Sequence, residues 1–444
     1  MTEPREQAWW QGLTPLGASQ ASRIVDAFAL REIEIGGVVA RDGGVDFMYE
    51  SGYLLVRDQA DNLDRIGAAV GQPDLRNRAE PVIRGLVRVP LDIAALDTID
   101  GIFGNTGSPV ATPNHVLTVG HVNQGRIGPW PATMCPATEP ETPWLHPCPR
   151  PRIRRDDAGS GARIYIADTG LLKDARTHSW LRGVRGDEDP LPDPRQIPVY
   201  TGHGTFVAGV ARSQAPSAYV YVEAVFNTAG SELEAEAIKR LDRALDDGYD
   251  IFNVTATTTT RNDRSLLAFD VWLERFREHR NAVCIVPAGN DNSTQAHWPA
   301  AFSVPGLISV GATTLDGQAR ALFSDYGDWV DVYAPGQYLV NAYARGTYTC
   351  EWPPNKGQRR RFRGMAQWSG TSFSTPIVAG LIASRIDRTG EDARKAASTL
   401  LERARSNPVA GVGPVLMPRP GDCRCRMCVA KITVRAQRIR RTAR

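Results

Sequence analysis

The chain has 444 residues, 42% of them hydrophobic and 23% charged, with a net charge of +3. That length exceeds one ordinary hydrophobic core, so a large domain and at least one smaller unit are expected. The near balance of charge excludes a global field that would gather nucleic acid, and no apolar run approaches the ~20 residues that cross a bilayer. The first ten residues, ending in Trp9-Trp10, lack an apolar stretch followed by a small-residue cleavage site. No secretory signal is therefore read, and a cytoplasmic setting is expected. Seven cysteines are odd in number and scattered, which does not suggest a disulfide framework, so reduced thiols are expected. Cys423, Cys425 and Cys428 cluster without a second CxxC pair or a nearby histidine, so they read as a cysteine-bearing tail and no metal site is assigned.

Residues 1–46 form an N-terminal extension with one helical candidate, Ala18 to Arg31. From residue 47 to 121 the pattern sharpens into strand, helix, strand, helix, strand: Tyr53 to Val56, Asn62 to Val70, Gly85 to Val89, Ile93 to Phe103, and His115 to Val119. This order predicts a small α+β domain with helices on one face of a sheet. His115 and His121 flank a short apolar run, yet nothing downstream supplies a Gly-Asp-Ser-Gly-Gly nucleophile, so they are given no catalytic role.

Residues 122–160 carry many prolines and charges, which predicts a linker and places the domain boundary there. Beyond it, apolar β-rich runs alternate with helical stretches. The runs are Arg163 to Ala167, Ala218 to Phe226, Asp250 to Ala256, Ala282 to Pro287, Leu307 to Gly311 and Val330 to Tyr333; the helices are Ser231 to Asp246 and Ser265 to Arg280. Apolar strands separated by amphipathic helices predict a three-layer α/β domain over residues 161–418, its mostly parallel sheet covered on both faces. Ligands bind at the carboxyl ends of such strands.

Three blocks carry chemistry. Ile164 to Gly170 ends a strand in Asp168; Gly202-His203-Gly204 places a histidine just before a helix; Ser369-Gly370-Thr371-Ser372 leads into the apolar run from Ile377 to Ala383. Ser372 is predicted at a helix N-terminus, where unpaired N–H groups meet a developing oxyanion. Pro376 is predicted in the first turn of that helix, where its missing N–H is harmless. A serine hydroxyl near neutral pH is a poor nucleophile and needs a base, and histidine titrates in the right range.

With the order Asp168, His203, Ser372, the chain resembles the subtilisin-like serine protease family (subtilases) over about residues 160–405. A fourth block, Val286-Pro287-Ala288-Gly289-Asn290, matches the family's oxyanion-hole segment, which assigns that role to Asn290. The resemblance implies a subtilisin-like fold, an Asp168-His203-Ser372 triad, an acyl-enzyme intermediate and no required cofactor, with structural calcium as an added feature for which no ligands are assigned. It also implies substrate-binding edges at Thr255, Ala256, Thr257, Ala288 and Gly289. Where relatives carry Ser-Leu-Gly, this chain reads Thr255-Ala256-Thr257, and Thr257 is expected to narrow the cleft.

The segment Ala344 to Gln367 bears Lys356, Arg359, Arg360, Arg361 and Arg363 and is read as a solvated hairpin; the alternative is a basic wall that prefers acidic substrates. The tail, residues 419–444, is basic and is read as solvated, with nucleic-acid contact as its lesser alternative. The expected partners are a protein or peptide substrate and a regulatory partner acting on the N-terminal domain, with no membrane. Residues 47–121 resemble the inhibitory prodomains of subtilisin-like enzymes, so restraint of the cleft is expected. The competing readings are a silent protease-shaped scaffold and a serine hydrolase of small esters or amides.

Overall fold

The computed structural model describes residues 9–41, 43–59, 61–104, 108–119, 147–151, 161–350 and 356–418. The expected tail, and all of the expected linker except residues 147–151, lie outside them. In chain order the elements of the N-terminal part are α1 (Pro15–Ala29), β1 (Ile35–Val39), β2 (Val45–Arg57), α2 (Asn62–Ala69), β3 (Glu80–Ile83), β4 (Leu86–Val89), α3 (Ala95–Phe103) and β5 (Ala111–Thr118). The second part holds β6 (Arg163–Asp168), β7 (Arg185–Gly186), α4 (His203–Gln214), β8 (Tyr219–Ala224), β9 (Ser231–Leu233), α5 (Glu234–Asp246), β10 (Ile251–Val254), α6 (Leu267–Glu278), β11 (Val283–Pro287) and β12 (Leu307–Thr313). It ends with β13 (Val332–Pro335), β14 (Leu339–Thr349), β15 (Arg359–Trp368), α7 (Thr371–Thr389) and α8 (Ala393–Ser406).

Seven strands form one sheet in the order β13-β12-β11-β10-β6-β8-β7, and every pairing in it is parallel. Side chains alternate across it as the two-residue period requires. Ile164 and Ile166 of β6 pack with Phe206, Phe373 and Ile377 from α4 and α7, while Tyr165 and Ala167 pack with Ile238 and Trp272 from α5 and α6. Helices thus cover both faces. The chain passes from β6 to β8 on one side and later to β10 on the other, so the order switches at β6. The carboxyl end of β6, where such a fold binds its ligand, carries Asp168.

The other main sheet is antiparallel, ordered β3-β4-β2-β5-β9 with β1 on β2. Two features depart from the sequence reading. β1, and β2 from Val45, begin inside the expected extension, so the sheet takes in part of residues 1–46. Residues Ser231–Leu233, expected to be helical, form β9 and pair with β5. Their partner lies more than a hundred residues upstream, and local periodicity carries no trace of it.

Leu54 and Val56 of β2 pack under α2 and α3, whereas Leu55 joins Leu86 in the core built on α5 and α6. Arg57 reinforces that seam with ion pairs to Asp270 (2.7 Å) and Glu274 (2.6 Å) on α6. Residues 147–151 lie against β14, with Cys148 and Val340 exchanging backbone hydrogen bonds of 2.8 and 3.1 Å. Cys148 is disulfide-bonded, while Cys284 and Cys350 are buried and stand outside any disulfide. Reduced thiols therefore hold for two of these three and not for Cys148; counting cysteines could not reveal which ones meet in space. The basic segment is the β14–β15 hairpin, with Arg359, Arg361 and Arg363 exposed on one face.

Helices α4 and α7, which carry His203 and Ser372, touch at Gly380. A methyl group there would stand 2.6 Å from the Ala211 carbonyl oxygen and 2.7 Å from Gln214 Cβ. Gly380→Val is expected to force the helices apart and lower the free energy of unfolding by about 1–3 kcal/mol, the usual range for overpacking, measured by urea denaturation.

Candidate active site

Asp168 is fully buried at the end of β6. Its Oδ1 accepts from the Thr169 N–H (2.7 Å) and lies 2.8 Å from His203 Nδ1; its Oδ2 lies 2.9 Å from the same nitrogen and accepts from the Thr255 hydroxyl. A carboxylate can only accept, so His203 carries its proton on Nδ1 and presents Nε2 as a lone pair. The ring is held between aromatic neighbours, edge-on to Trp368 at 5.3 Å and tilted against Phe373 at 5.1 Å.

A second aspartate ties the two loops together. Asp189 Oδ2 accepts from Thr169 Oγ1 (2.9 Å) and from the backbone N–H of Gly202 (2.7 Å), so it joins the residue after Asp168 to the residue before His203. Thr169 Oγ1 in turn accepts from the Gly204 N–H at 3.1 Å. No sequence signal singled out Asp189: it lies in an acidic, proline-bearing stretch that reads as an ordinary loop.

Ser372 is the second residue of α7, where no helical carbonyl can pair its N–H. The helix begins at Thr371, so Pro376 falls in the second turn, not the first, and the Ser372 carbonyl loses its helical partner. No hydrogen bond joins Ser372 to His203; such contacts tighten when substrate arrives. Across the cleft, Asn290 Oδ1 accepts from the N–H of Thr371 (2.9 Å) and from its hydroxyl (3.1 Å). With the oxygen held, the amide is fixed with Nδ2 free to donate. Gly289 has φ +119 and no room for a side chain, since a methyl would stand 2.1 Å from Asp325 Oδ2.

The residues expected to bind substrate divide. Thr255 is 1% exposed and its hydroxyl is spent on Asp168, so its side chain positions the carboxylate. Ala256 and Ala288 are fully buried and contribute backbone only. Thr257 exchanges backbone hydrogen bonds with Thr118 at 3.0 and 3.1 Å, so that edge takes up an antiparallel strand. His115 is buried, with Nδ1 3.5 Å from Glu234 Oε2 and Nε2 accepting from the Arg261 N–H at 3.3 Å. Asp291, His297 and Asp325 converge within 4.8 Å of one another. A histidine nitrogen with two carboxylates is unlike the all-oxygen shells of calcium, so this cluster lends no support to the expected calcium.

The Subtilase family (peptidase S8) profile matches residues 159–410, more than half of the chain. Thermitase of Thermoactinomyces vulgaris is 30% identical over 234 residues, which span 50% of this chain and 74% of thermitase. Subtilisin Savinase of Lederbergia lenta is 27% identical over 234 residues, 51% of this chain and 76% of the relative. For a thermostable alkaline protease of Halalkalibacterium halodurans, 28% identical, the match spans only 56% of the relative's length. A solved cold adapted subtilisin-like serine proteinase aligns with 60% of this chain and 91% of its own at 22% identity and a TM-score of 0.45. The chain belongs to the subtilase family, and by that membership it is a subtilisin-like serine endopeptidase.

Burial pushes the Asp189 carboxyl up to about 7. In the unfolded chain an aspartate releases its proton near pH 4. Between those values the folded state binds more protons than the unfolded one, so this contribution is fully present below about pH 4 and lost as pH rises to about 7. Asp189→Asn removes the titration. The fall in Tm between pH 4 and 7.5 is expected to be shallower in the variant, and the difference between the two profiles isolates Asp189 from other buried carboxyls.

Proposed function

We propose that this chain hydrolyses peptide bonds with Ser372 as nucleophile, His203 as general base and acid, and Asp168 as the group that orients and stabilises the imidazolium. The observation that carries the reading is the buried Asp168–His203 pair, at 2.8 Å, set against the first turn of α7. His203 Nε2 takes the Ser372 proton as Oγ attacks the carbonyl, and returns it to the leaving amine. Asn290 Nδ2 and the Ser372 N–H receive the oxyanion, and the Thr371 contacts keep the amide aimed without reorganisation at the moment of reaction. A silent scaffold would have no use for so complete a set of positioned donors. A small-ester hydrolase would have no use for a strand-pairing edge.

Ser372→Ala and His203→Ala are each expected to abolish peptide cleavage with the fold intact by circular dichroism, and the double variant to be little worse than either. Asn290→Ala is expected to lower kcat by about 10²–10³ with little change in KM, because its amide meets charge that exists only in the transition state. Near-full activity in Ser372→Ala would sink the assignment.

The same reading extends to restraint by the N-terminal domain. β5 runs antiparallel to both β9 and the Thr255–Thr257 edge, with Thr118 bonded to Thr257 and Val119 N–H to the Gly230 carbonyl at 2.9 Å. Antiparallel to that edge, β5 points its carboxyl end from Thr257 toward Thr255 and Asp168, along the track an extended substrate would take. Docking is supported by the Ala235 N–H, which donates to Asn114 Oδ1 at the start of α5 (3.1 Å), and by Arg261 paired with Asp100 (2.7 Å). A chain starting near Arg152 is expected to exceed the full-length protein in peptidase activity. Residues 1–125 added in trans should inhibit it competitively with peptide substrate; a fragment without effect on an active truncated enzyme rules the restraint out.

A further inference from the structure

The β14–β15 hairpin has one covered face and one open face. Tyr348 and Phe362 are buried on the first, where Phe362 meets the ring of Tyr343 edge-on at 4.9 Å. The two-residue period of a strand then turns Arg359, Arg361 and Arg363 to the other side, and all three are exposed. β14 adds the residues directly opposite them: Thr349 to Arg359, Thr347 to Arg361 and Arg345 to Arg363. Two arginines thus face each other across the ladder, an arrangement that destabilises a sheet. Arg345 lies 4.0 Å from Asp174 Oδ2, while Arg359 and Arg361 form no ion pair among the described residues.

The two outer edges of the hairpin also differ. That of β14 is taken: Val340 exchanges backbone hydrogen bonds with Cys148, and Thr347 bonds to Pro194 and Ile197 at 2.8 Å each. β15 pairs with β14 alone among the described residues. An open edge of this kind takes up an extended chain through main-chain hydrogen bonds. Alternate residues repeat about every 6.6–6.8 Å in an added strand as in β15 itself. A chain with Asp or Glu at every second position therefore brings one carboxylate to each of Arg359, Arg361 and Arg363, and each guanidinium can grip it through two parallel hydrogen bonds. Only Arg and Thr side chains stand on the open face among the described residues, so a nucleic-acid base finds no ring to stack on.

The hairpin is rooted at the active centre. β15 ends in Trp368, whose ring centre lies 5.3 Å from that of His203, just before the helix that carries Ser372. At the rise of a strand, Arg363 stands roughly 17 Å and Arg359 roughly 30 Å from that root. We propose that the open face and edge of β15 form a docking strip for acidic, extended segments of this enzyme's protein substrates, gripped by Arg359, Arg361 and Arg363 at a distance from the scissile bond. The inference rests on the serine-peptidase reading above, and the experiment separates the two.

Binding is read first, by fluorescence anisotropy on full-length Ser372→Ala, which leaves the probes intact. The probes are labelled Thr-Glu-Thr-Glu-Thr-Glu, a peptide of the same composition with its glutamates contiguous, and oligothymidylate. The alternating peptide is expected to bind about tenfold more tightly than the block peptide, and Arg359→Ser with Arg361→Ser to remove that advantage. Full-length protein with Ser372 intact is then given an unfolded, cysteine-free test protein ending in the alternating tail or in its Thr-Gln counterpart. The acidic tail is expected to lower KM about tenfold at unchanged kcat, because a remote contact raises the local concentration of substrate without touching the transition state. A shielding domain affects both proteins alike, so the ratio stands.

The double variant is expected to cut both proteins with the KM of the neutral one. Equal binding of the two acidic peptides overturns the proposal, and that comparison stands even if the variant fails to fold. Tighter binding of oligothymidylate, or a folded double variant that binds as its parent does, overturns it too. Hydrolysis of both tailed proteins with one KM spares the peptidase reading and sinks the docking of substrate; no hydrolysis, with no labelling of Ser372 by a fluorophosphonate, sinks both.

Discussion

The carboxylate of Asp168 is the constraint on which the rest of the site depends. An anion removed from water at the end of a central strand is tolerable only if fixed donors replace its solvent. Here those donors are the Thr169 N–H, the Thr255 hydroxyl and His203 Nδ1, drawn from the residue just after β6, from the residue just after β10 and from the start of α4. Meeting the needs of one buried charge therefore fixes three elements relative to each other. It also settles which nitrogen of the imidazole is left to act as a base.

The sheet makes that arrangement possible because β6 sits where the strand order reverses, so the loops after β6, β8 and β10 leave the same edge in divergent directions. Asp189 and Thr371 complete the frame from opposite sides, one clasping the loops around Asp168 and His203, the other orienting Asn290. Neither side chain takes part in bond making. Both convert loops into a frame whose tolerance is set by hydrogen-bond lengths.

Much of this frame was legible in the sequence, for identifiable reasons. Asp168 follows an uninterrupted apolar run, His203 sits between glycines at a helix start, and Ser372 precedes a small-residue helix; each is a local pattern with a local cause. What escaped depended on contacts distant in sequence. Ser231–Leu233 abuts a strongly amphipathic helix and reads as its first turn, yet β5 draws it out as a strand. Thr255 reads as a substrate edge, but the short reach from β10 to β6 turns its hydroxyl inward. His297 gave no signal, because a histidine before Trp-Pro acquires meaning only when Asp291 and Asp325 close on it.

The strand β9 belongs by sequence to the catalytic part and by hydrogen bonding to the N-terminal sheet. Between β9 and the Thr255–Thr257 edge there is width for one strand, and β5 occupies it. Were β5 withdrawn, the protein would display two facing rows of unsatisfied N–H and C=O groups, the kind of open edge through which proteins associate and aggregate. For such an enzyme, an occupied cleft is a matter of solubility as well as restraint: the feature that lets it seize an extended chain also makes its empty form prone to seize its neighbours.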